Sequence, residues 1–246
     1  MMKLGLGMFP KNSTPQLTKK IIMAKQVMDV RAGAGMTVSQ SNEHLRVASN
    51  GAYVSRLSNN FDPTRERLNF EIKNGEVTPV DKATSIPRRI ETILWQRGIK
   101  DPNKELIKKG KKPNRRTVAN FILGGSREQM HHLAFGNQVV DLEQGADNSS
   151  IRRMPEIESW AKDMYRFMSA QFGEKNIAAF VVHLDETNPH IHCTVLPITK
   201  DEKLSWKKVM VGEVDSKFEY QKRMMKLHDE ISKINADYGL ERGDAI

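Results

Sequence analysis

Residues 178–195 have the sequence AAFVVHLDETNPHIHCTV, and this stretch decides the fold. The apolar runs at its two ends have the composition of buried β-strands, with β-branched and aromatic side chains. Residues 185–189 (DETNP), between these runs, are of types that favour turns. Two strands joined by so short a turn pair antiparallel, because a parallel pair needs a crossover of a dozen or more residues. The stretch therefore predicts a β-hairpin.

Three histidines and two acidic residues lie on this predicted hairpin. His190 and His192 are two positions apart, so on a strand their side chains point to the same face. A hairpin can place His183 of the preceding strand opposite or diagonal to them. Imidazoles that converge in this way, with Glu186 or Asp185 at the turn, suit Zn²⁺, Mn²⁺, Fe²⁺ or Ni²⁺. We expect the three histidines to be metal ligands, and Glu186 to be either a fourth ligand or a group that orients one imidazole.

The pattern around the hairpin predicts an α+β fold with a mainly antiparallel sheet and helices on one or both faces. Strands and helices alternate irregularly, without the regular strand–helix–strand units of a parallel sheet. One domain over residues 1–246 is the economical interpretation, and the chain is compatible with a fragment of a longer protein. The expected elements are helices at 14–30, 86–97, 127–132, 157–172 and 213–237, strands at 68–72, 117–123, 177–184 and 190–198, and a loop or irregular helix at 34–60.

The charge of the chain points to a polyanionic partner. The sequence has 39 Lys+Arg against 30 Asp+Glu, a net charge of +9. Residues 100–116 hold eight basic and two acidic residues, and with Gly110 and Pro113 among them they predict a mobile basic loop inserted into the domain. We expect this segment to contact nucleic acid. The candidate DNA-binding residues in it are Lys108, Lys109, Lys111, Lys112, Arg115 and Arg116.

Composition also excludes several classes of protein. A single cysteine, Cys193, excludes a disulfide framework and a cysteine-rich zinc site and suggests a reducing compartment. Because Cys193 directly follows His192, it faces away from the histidines on a regular strand. No apolar run approaches the roughly 18–20 residues of a membrane helix, and we expect a cytoplasmic bacterial protein.

Several motifs resemble one family. The string HLDETNPHIH at 183–192 resembles the HUH motif of rolling-circle nucleases, and in particular the version found in MobV-type plasmid mobilisation relaxases, the Pre/Mob family. Residues 62–65 (DPTR) and 68–71 (LNFE) are similar to another element of that family. So are residues 173–178 (GEKNIA) and 238–243 (YGLERG), in the same order along the chain. The resemblance spans roughly residues 33–243 and is weakest over 102–135.

The resemblance implies a fold and an activity. The fold would be an antiparallel palm of about five strands with helices. The activity would be a site- and strand-specific nick in single-stranded DNA at a plasmid or transposon origin of transfer, with the enzyme held on the 5′ phosphate until the ends are rejoined. Mn²⁺ or Mg²⁺ would be the expected ion, although three imidazoles also accept Zn²⁺ or Ni²⁺. Origin DNA, and other mobilisation or conjugation proteins, would be the partners.

The resemblance also implies a nucleophile in an N-terminal motif. Many members of the family are thought to use a histidine there, and residues 41–46 of this chain are SNEHLR. We favour His44, with Arg46 neutralising the phosphate beside it. Aligning the Asn-Glu pair with the family pattern would instead put Ser41 at the nucleophile position. Tyr53 is the alternative nucleophile if the chain uses a tyrosine.

Two further residues match the family element at 62–71. Arg65 and Asn69 are candidates for holding a DNA phosphate or for positioning the nucleophile. Arg65 is equally compatible with a structural ion pair to a carboxylate.

Two other functions fit some of these observations. A non-catalytic, metal-stabilised DNA-binding protein, such as an origin-binding protein or a repressor, would bind DNA without forming a covalent adduct. A metal hydrolase acting on a small substrate would need no DNA, and the basic segment at 100–116 argues against it. We therefore rank the relaxase first and the DNA-binding protein second.

Overall fold

The computed structural model describes residues 24–48, 61–212, 214 and 216–243. Within these ranges the strands form one sheet with the spatial order β3-β2-β5-β6-β4-β1-β7. Neighbouring strands pair antiparallel except that β7 runs parallel to β1. The strands are β1 (Ala24–Gly33), β2 (Phe70–Lys73), β3 (Glu76–Thr78), β4 (Val118–Gly125), β5 (Ile177–His183), β6 (His190–Val195) and β7 (Leu240–Glu241).

Helices cover both faces of the sheet, which confirms the α+β class; the sheet has seven strands, where the resemblance implied about five. The hairpin predicted from residues 178–195 is the β5–β6 pair at the centre of the sheet. The helices are α1 (Val38–Leu45), α2 (Ile86–Gln96), α3 (Pro102–Lys108), α4 (Arg127–Phe135), α5 (Pro155–Phe172) and α6 (Lys217–Asn235).

Strand alternation divides the core between the two faces. On one face, α4, α5 and α6 pack against alternate residues of β4, β5 and β6, such as Phe121 and Phe180. Trp160 of α5 is fully buried there, and its indole Nε1 donates to Asn235 Oδ1 at 2.9 Å. On the other face, α1 and α2 pack against β5 through residues such as Leu45 and Val181. That second face carries the histidines.

The helix expected at 14–30 is wrong over its described part, because residues 24–33 form strand β1. Within β1, Gln26 and Met28 are buried while Lys25 and Val27 are exposed, which is the period of two of a strand. The apolar positions in this stretch also fit a helical spacing, but β1 pairs with β4 from Gln26 to Gly33, and this pairing determines the strand conformation. Residues 14–23 lie outside the described part of the chain.

Residues 34–60 were expected to form a loop or irregular helix, and their described part contains the regular helix α1. Thr37 caps α1, because its side chain accepts from the amide of Gln40, and the Gln40 side chain accepts in turn from the amide of Thr37. This reciprocal capping box satisfies two amides at the start of the helix that would otherwise lack partners. Residues 49–60 lie outside the described part.

The basic segment at 100–116 also contains a helix, which corrects the prediction of a mobile loop. Asp101 accepts from the amide of Asn103, and Pro102 occupies the first turn, so α3 begins there as capped helices do. The buried Asn103 side chain then donates to the carbonyls of Ala34 and Arg115, at 3.1 and 2.8 Å. Asn103 therefore links the start of α3 to the residue that follows β1 and to the end of the basic segment.

Among the described residues, no helix is long and apolar enough to cross a membrane.

Candidate metal centre

The β5–β6 hairpin brings the three histidines together on one face of the sheet. His183 at the end of β5 is the register partner of His190 at the start of β6, and His192 lies two residues further on the same face. One donor atom from each of these histidines and one from Glu186 lie within 4.8 Å of one another. The juxtaposition expected from the sequence is confirmed. Cys193 points to the opposite face and is buried in the core.

Hydrogen bonds to carbonyls fix which nitrogen of two imidazoles carries the proton. His190 Nδ1 is 2.8 Å from the carbonyl of Asn188, and His183 Nε2 is 2.8 Å from the carbonyl of His44. A carbonyl only accepts, so these nitrogens donate. His190 Nε2 is left with its lone pair toward the cluster, and the lone pair of His183 Nδ1 accepts from Arg46 Nη2 at 3.1 Å. Backbone groups that orient ligand imidazoles in this way are typical of metal sites.

The donor atoms are spaced as ligands of one ion would be. The Nε2 atoms of His190 and His192 lie 2.9 Å apart. Adjacent ligands of an octahedral ion with bonds of about 2.1 Å are separated by about 3 Å. Burial lowers the pKa of both histidines, which favours the neutral imidazole that a metal needs. Donor set and spacing therefore fit a divalent cation.

Glu186 takes part in the cluster through both carboxylate oxygens. Its Oε1 is 3.4 Å from His183 Nδ1 and its Oε2 is 4.0 Å from His190 Nε2. Burial alone would raise the pKa of Glu186, but its contacts with His183 and Arg46 hold that pKa well below its usual range. The carboxylate is therefore ionised, as a fourth ligand would be.

Arg46 holds the turn between the two strands. Its Nε and Nη2 donate to the two oxygens of Asp185 at 2.8 Å each, and Nη2 also donates to Glu186 Oε1 at 2.6 Å. The side chain of Arg46 is 1% exposed. We expected Arg46 to neutralise a DNA phosphate beside His44. The structure corrects this, because its guanidinium is committed to the carboxylates of Asp185 and Glu186.

Arg65 and Asn69 hold the same turn from the other side. Arg65 Nε donates to Asp62, and its Nη1 and Nη2 donate to the carbonyls of Leu184 and Glu186. Asn69 donates to Asp185 Oδ2 at 2.6 Å. Because both side chains are buried, they do not present a surface to a DNA phosphate. Of the two interpretations of Arg65, the structure supports the ion pair.

His44 lies against the donor cluster. Its ring stacks on His192 with the ring centroids 4.0 Å apart and the planes inclined by 22°. Its Nδ1 is buried and has no hydrogen-bond partner among the described residues. Burial, followed by the charges of His183 and Arg46, lowers the pKa of His44 to about 3. The imidazole is therefore neutral at physiological pH and retains a nitrogen lone pair.

Of the other two candidate nucleophiles, Ser41 lies within the described residues and Tyr53 does not. Ser41 is fully buried, and its Oγ accepts from the amide of Ile86 at 2.9 Å. It thus caps the first turn of α2 and is separated from the metal cluster. Tyr53 lies outside the described residues.

The basic segment lies away from the cluster. Its six candidate DNA-binding residues at 108–116 are all exposed. Thr117, where it joins β4, is five residues from Ile122, the register partner of His192. Five residues of strand span roughly 17 Å. Arg116 lies over the Trp206 ring, 5.6 Å from its centroid.

Sequence reasoning missed two contributors to the centre. Asp62 anchors Arg65 and donates its amide to the carbonyl of Asp185 at 2.7 Å. Asn188 supplies the carbonyl that orients His190. The DPTR element at 62–65 was the available signal for Asp62, while Asn188 acts through its backbone, which no side-chain pattern reveals.

The structure is that of an α+β protein that carries, on one face of its sheet, three histidines and a glutamate able to hold a metal ion. A family model described as plasmid recombination enzyme (Mob_Pre) matches residues 101–245. The chain belongs to this family.

Individual relatives agree with this assignment. A plasmid recombination enzyme of Bacillus thuringiensis is 27% identical over 117 residues, which is 48% of this chain and 22% of the relative. A type 3 plasmid recombination enzyme of Staphylococcus aureus is 33% identical over 99 residues, 40% of this chain and 22% of the relative. The chain thus aligns with about a fifth of the length of these relatives.

The fold is also similar to solved structures. The MobM relaxase domain (MOBV; Mob_Pre), Mn-bound and bound to plasmid pMV158 oriT DNA, superposes with a TM-score of 0.55 at 17% identity. That superposition covers 89% of this chain and 91% of the other. A second structure of the same domain has a TM-score of 0.55 at 20% identity. These likenesses confirm the fold.

Proposed function

We propose that this chain is a metal-dependent DNA relaxase, which nicks one strand at an origin of transfer and later rejoins it during plasmid or transposon mobilisation. The observation that carries the proposal is the stacking of the neutral His44 imidazole on His192, one of the four residues of the donor cluster. A nucleophile and a cation site are thereby adjacent. The DNA and manganese bound to the MobM domain support the same function.

The charge of the centre suits a phosphodiester. Asp185 and Glu186 contribute two negative charges and Arg46 contributes one positive charge, whereas imidazoles that bind a metal are neutral and contribute none. The protein groups alone thus carry one net negative charge, and a divalent cation changes its sign. A site with net positive charge attracts an anionic phosphate and opposes the build-up of charge in the transition state. Mn²⁺ or Mg²⁺ is the proposed ion; Zn²⁺ and Ni²⁺ suit the imidazoles as well.

The bound ion would polarise the scissile phosphate as a Lewis acid. His44 is the proposed nucleophile: a bond forms between a ring nitrogen and phosphorus while the bond from phosphorus to the 3′ oxygen breaks. The imidazole loses its proton to solvent, and the departing 3′ oxygen takes up one, so charge and atoms balance. The phosphoramidate keeps the energy of the cleaved bond, so attack by a 3′ hydroxyl can reverse the step and rejoin the strand.

Covalent capture tests this proposal. The protein is incubated with Mn²⁺ and a library of single-stranded oligonucleotides with a randomised central segment, and products are separated on a denaturing gel. We expect an adduct that is stable to denaturant, labile to acid and attached to His44 when mapped by mass spectrometry. Acid lability separates a phosphohistidine from a phosphotyrosine.

Two variants sharpen the result. His44→Ala should abolish the adduct and leave Mn²⁺ binding intact, whereas Tyr53→Phe should form the adduct as the wild type does. An acid-stable adduct lost in Tyr53→Phe would keep the activity but reject His44. A metal-loaded protein that retains DNA and forms no adduct would instead support the non-catalytic DNA-binding function.

A further inference from the structure

The part of the sheet that adjoins the candidate metal centre carries exposed side chains, among them Val27 and Arg31. His192 of β6 is the register partner of Ile122 of β4, and Ile122 is the partner of Asp29 of β1. The three side chains share one face, because register partners in antiparallel strands point the same way. A continuous row therefore runs from a candidate metal ligand to the carboxylate of Asp29. Two strand spacings, about 10 Å, separate its ends.

A second row beside it is flat and apolar. His190 adjoins Gly124 of β4, where a side-chain carbon would come 3.5 Å from His190 Cβ. Gly124 is the register partner of Val27, which is 46% exposed. Neither Val27 nor Ile122 packs against either core cluster. We call Val27, Gly124 and Ile122 the shelf; Gly124 is buried, and the exposed Val27 and the half-buried Ile122 supply its apolar surface beside the donor cluster.

Charged side chains flank the shelf along β1. Lys25, Val27, Asp29 and Arg31 alternate with buried residues and so share the face of the histidines. Lys25 and Arg31 are exposed cations, whereas Asp29 is an acid with a side chain 47% exposed. Arg31 Nε donates to Asp29 Oδ2 at 3.0 Å, an exposed ion pair of the kind that contributes little to stability.

A carboxylate on a surface that DNA crosses repels the phosphates. A hydrogen bond that it accepts from a base can offset this repulsion. The exocyclic amino groups of bases are the donors that Asp accepts, cytosine N4 being the usual partner. Lys25 and Arg31, on either side of Asp29, can bind phosphates. Phosphate contacts position the DNA strand but do not distinguish its base sequence. The apolar shelf supplies a surface on which a base can stack.

We infer that Asp29 is a specificity-determining residue, which accepts a hydrogen bond from the exocyclic amino group of one base close to the scissile phosphate. That base lies on the shelf of Val27, Gly124 and Ile122. The inference rests on the proposed function, because it needs single-stranded DNA at the metal centre. It predicts that one nucleotide position near the nick is occupied by cytosine, adenine or guanine and disfavours thymine.

Sequencing of nicked products from the randomised oligonucleotide library, with Mn²⁺ present, tests the inference. In the wild type we expect one position near the nick to exclude thymine. In Asp29→Ala that preference should fall about tenfold, the usual worth of one good contact to a base edge. Lys25→Ala is the matched control on the same strand face, and it should lower nicking of all sequences alike. Unchanged thermal unfolding of both variants shows that they fold.

The outcomes separate the inference from the function it rests on. If the wild type nicks no member of the library, the proposed function fails and the inference fails with it. If the wild type nicks and Asp29→Ala gives the same base profile, only the inference is overturned. A wild-type preference for thymine at the position that Asp29→Ala relaxes would also overturn it, because thymine has no exocyclic amino group.

Discussion

Arg46 and Asp185, 139 residues apart in sequence, form a buried bidentate ion pair. Arg46 Nε donates to Asp185 Oδ2 and Arg46 Nη2 donates to Asp185 Oδ1, each at 2.8 Å. The side chain of Arg46 is 1% exposed and that of Asp185 is 0% exposed. The pair fastens the end of α1, which carries His44, to the turn that carries Glu186. His44 on one segment and the candidate metal ligands on another are thereby held in fixed positions relative to each other.

Breaking this pair should destabilise the protein strongly. Arg46→Ala leaves Asp185 buried with an uncompensated charge, and we expect the free energy of unfolding to fall by about 3–5 kcal/mol. Urea unfolding measures the free energy of unfolding of the wild type and of the variant. Arg31→Ala, which removes the exposed pair with Asp29, is the control and should change the free energy by about 1 kcal/mol or less. A small effect of Arg46→Ala would show that the pair does not anchor the turn.

Removing a candidate ligand should weaken metal binding without unfolding the protein. We expect His190→Ala to lower the affinity for Mn²⁺ by more than about tenfold, because even groups that only orient ligands contribute 10–100-fold. Isothermal titration calorimetry gives the affinity. His132→Ala, at an exposed position of α4, should bind Mn²⁺ as the wild type does. Equal affinity of both variants would place the metal elsewhere.

The basic segment should account for part of the salt dependence of DNA binding. Each lysine that contacts a phosphate of single-stranded DNA adds about 0.7 to the slope of log K against log salt concentration. Replacing Lys108, Lys109, Lys111 and Lys112 by alanine should lower the slope by up to about 3, measured by fluorescence anisotropy over a salt series. Replacing Lys222 and Lys233 on α6 is the control. An unchanged slope in the fourfold variant would mean that DNA does not reach the segment.

Cys193 should be unreactive in the folded protein. It is 1% exposed, and burial raises the pKa of its thiol, which suppresses the thiolate that thiol reagents attack. We expect a colourimetric disulfide reagent to modify Cys193 far more slowly in native buffer than in urea. Rapid modification of the native protein would contradict the strand register that turns Cys193 away from the histidines.

The sequence predicted contacts between residues that are close along the chain, but it did not predict contacts between residues that are far apart along the chain. Spacing alone placed His183, His190 and His192 together, because strand alternation and a short turn determine their relative positions. The roles of Arg46 and Arg65 could not be obtained that way. Their carboxylate and carbonyl partners at the turn lie more than 100 residues away. Arg46 was expected to face a DNA phosphate, and for Arg65 a DNA contact and a structural ion pair were both left open.

Strand β1 was mistaken for a helix for a similar reason. Its main partner, β4, is roughly 90 residues further along the chain, and its apolar residues fit either period locally. By contrast, the helix at 102–108 had a local signal in Asp101 and Pro102 that the basic composition of the segment obscured.

The hydrogen bond from His183 Nε2 to the carbonyl of His44 has a consequence for the order in which the centre forms during synthesis of the chain. Because this carbonyl fixes the proton on Nε2, Nδ1 of His183 is the acceptor on the side of the cluster, so this candidate ligand is oriented only after an early segment has met a late one. A growing chain on the ribosome already carries His44 long before residue 183 emerges, but it has no competent centre. Under the proposed relaxase function, a nascent chain would complete its centre only once its synthesis has passed the hairpin.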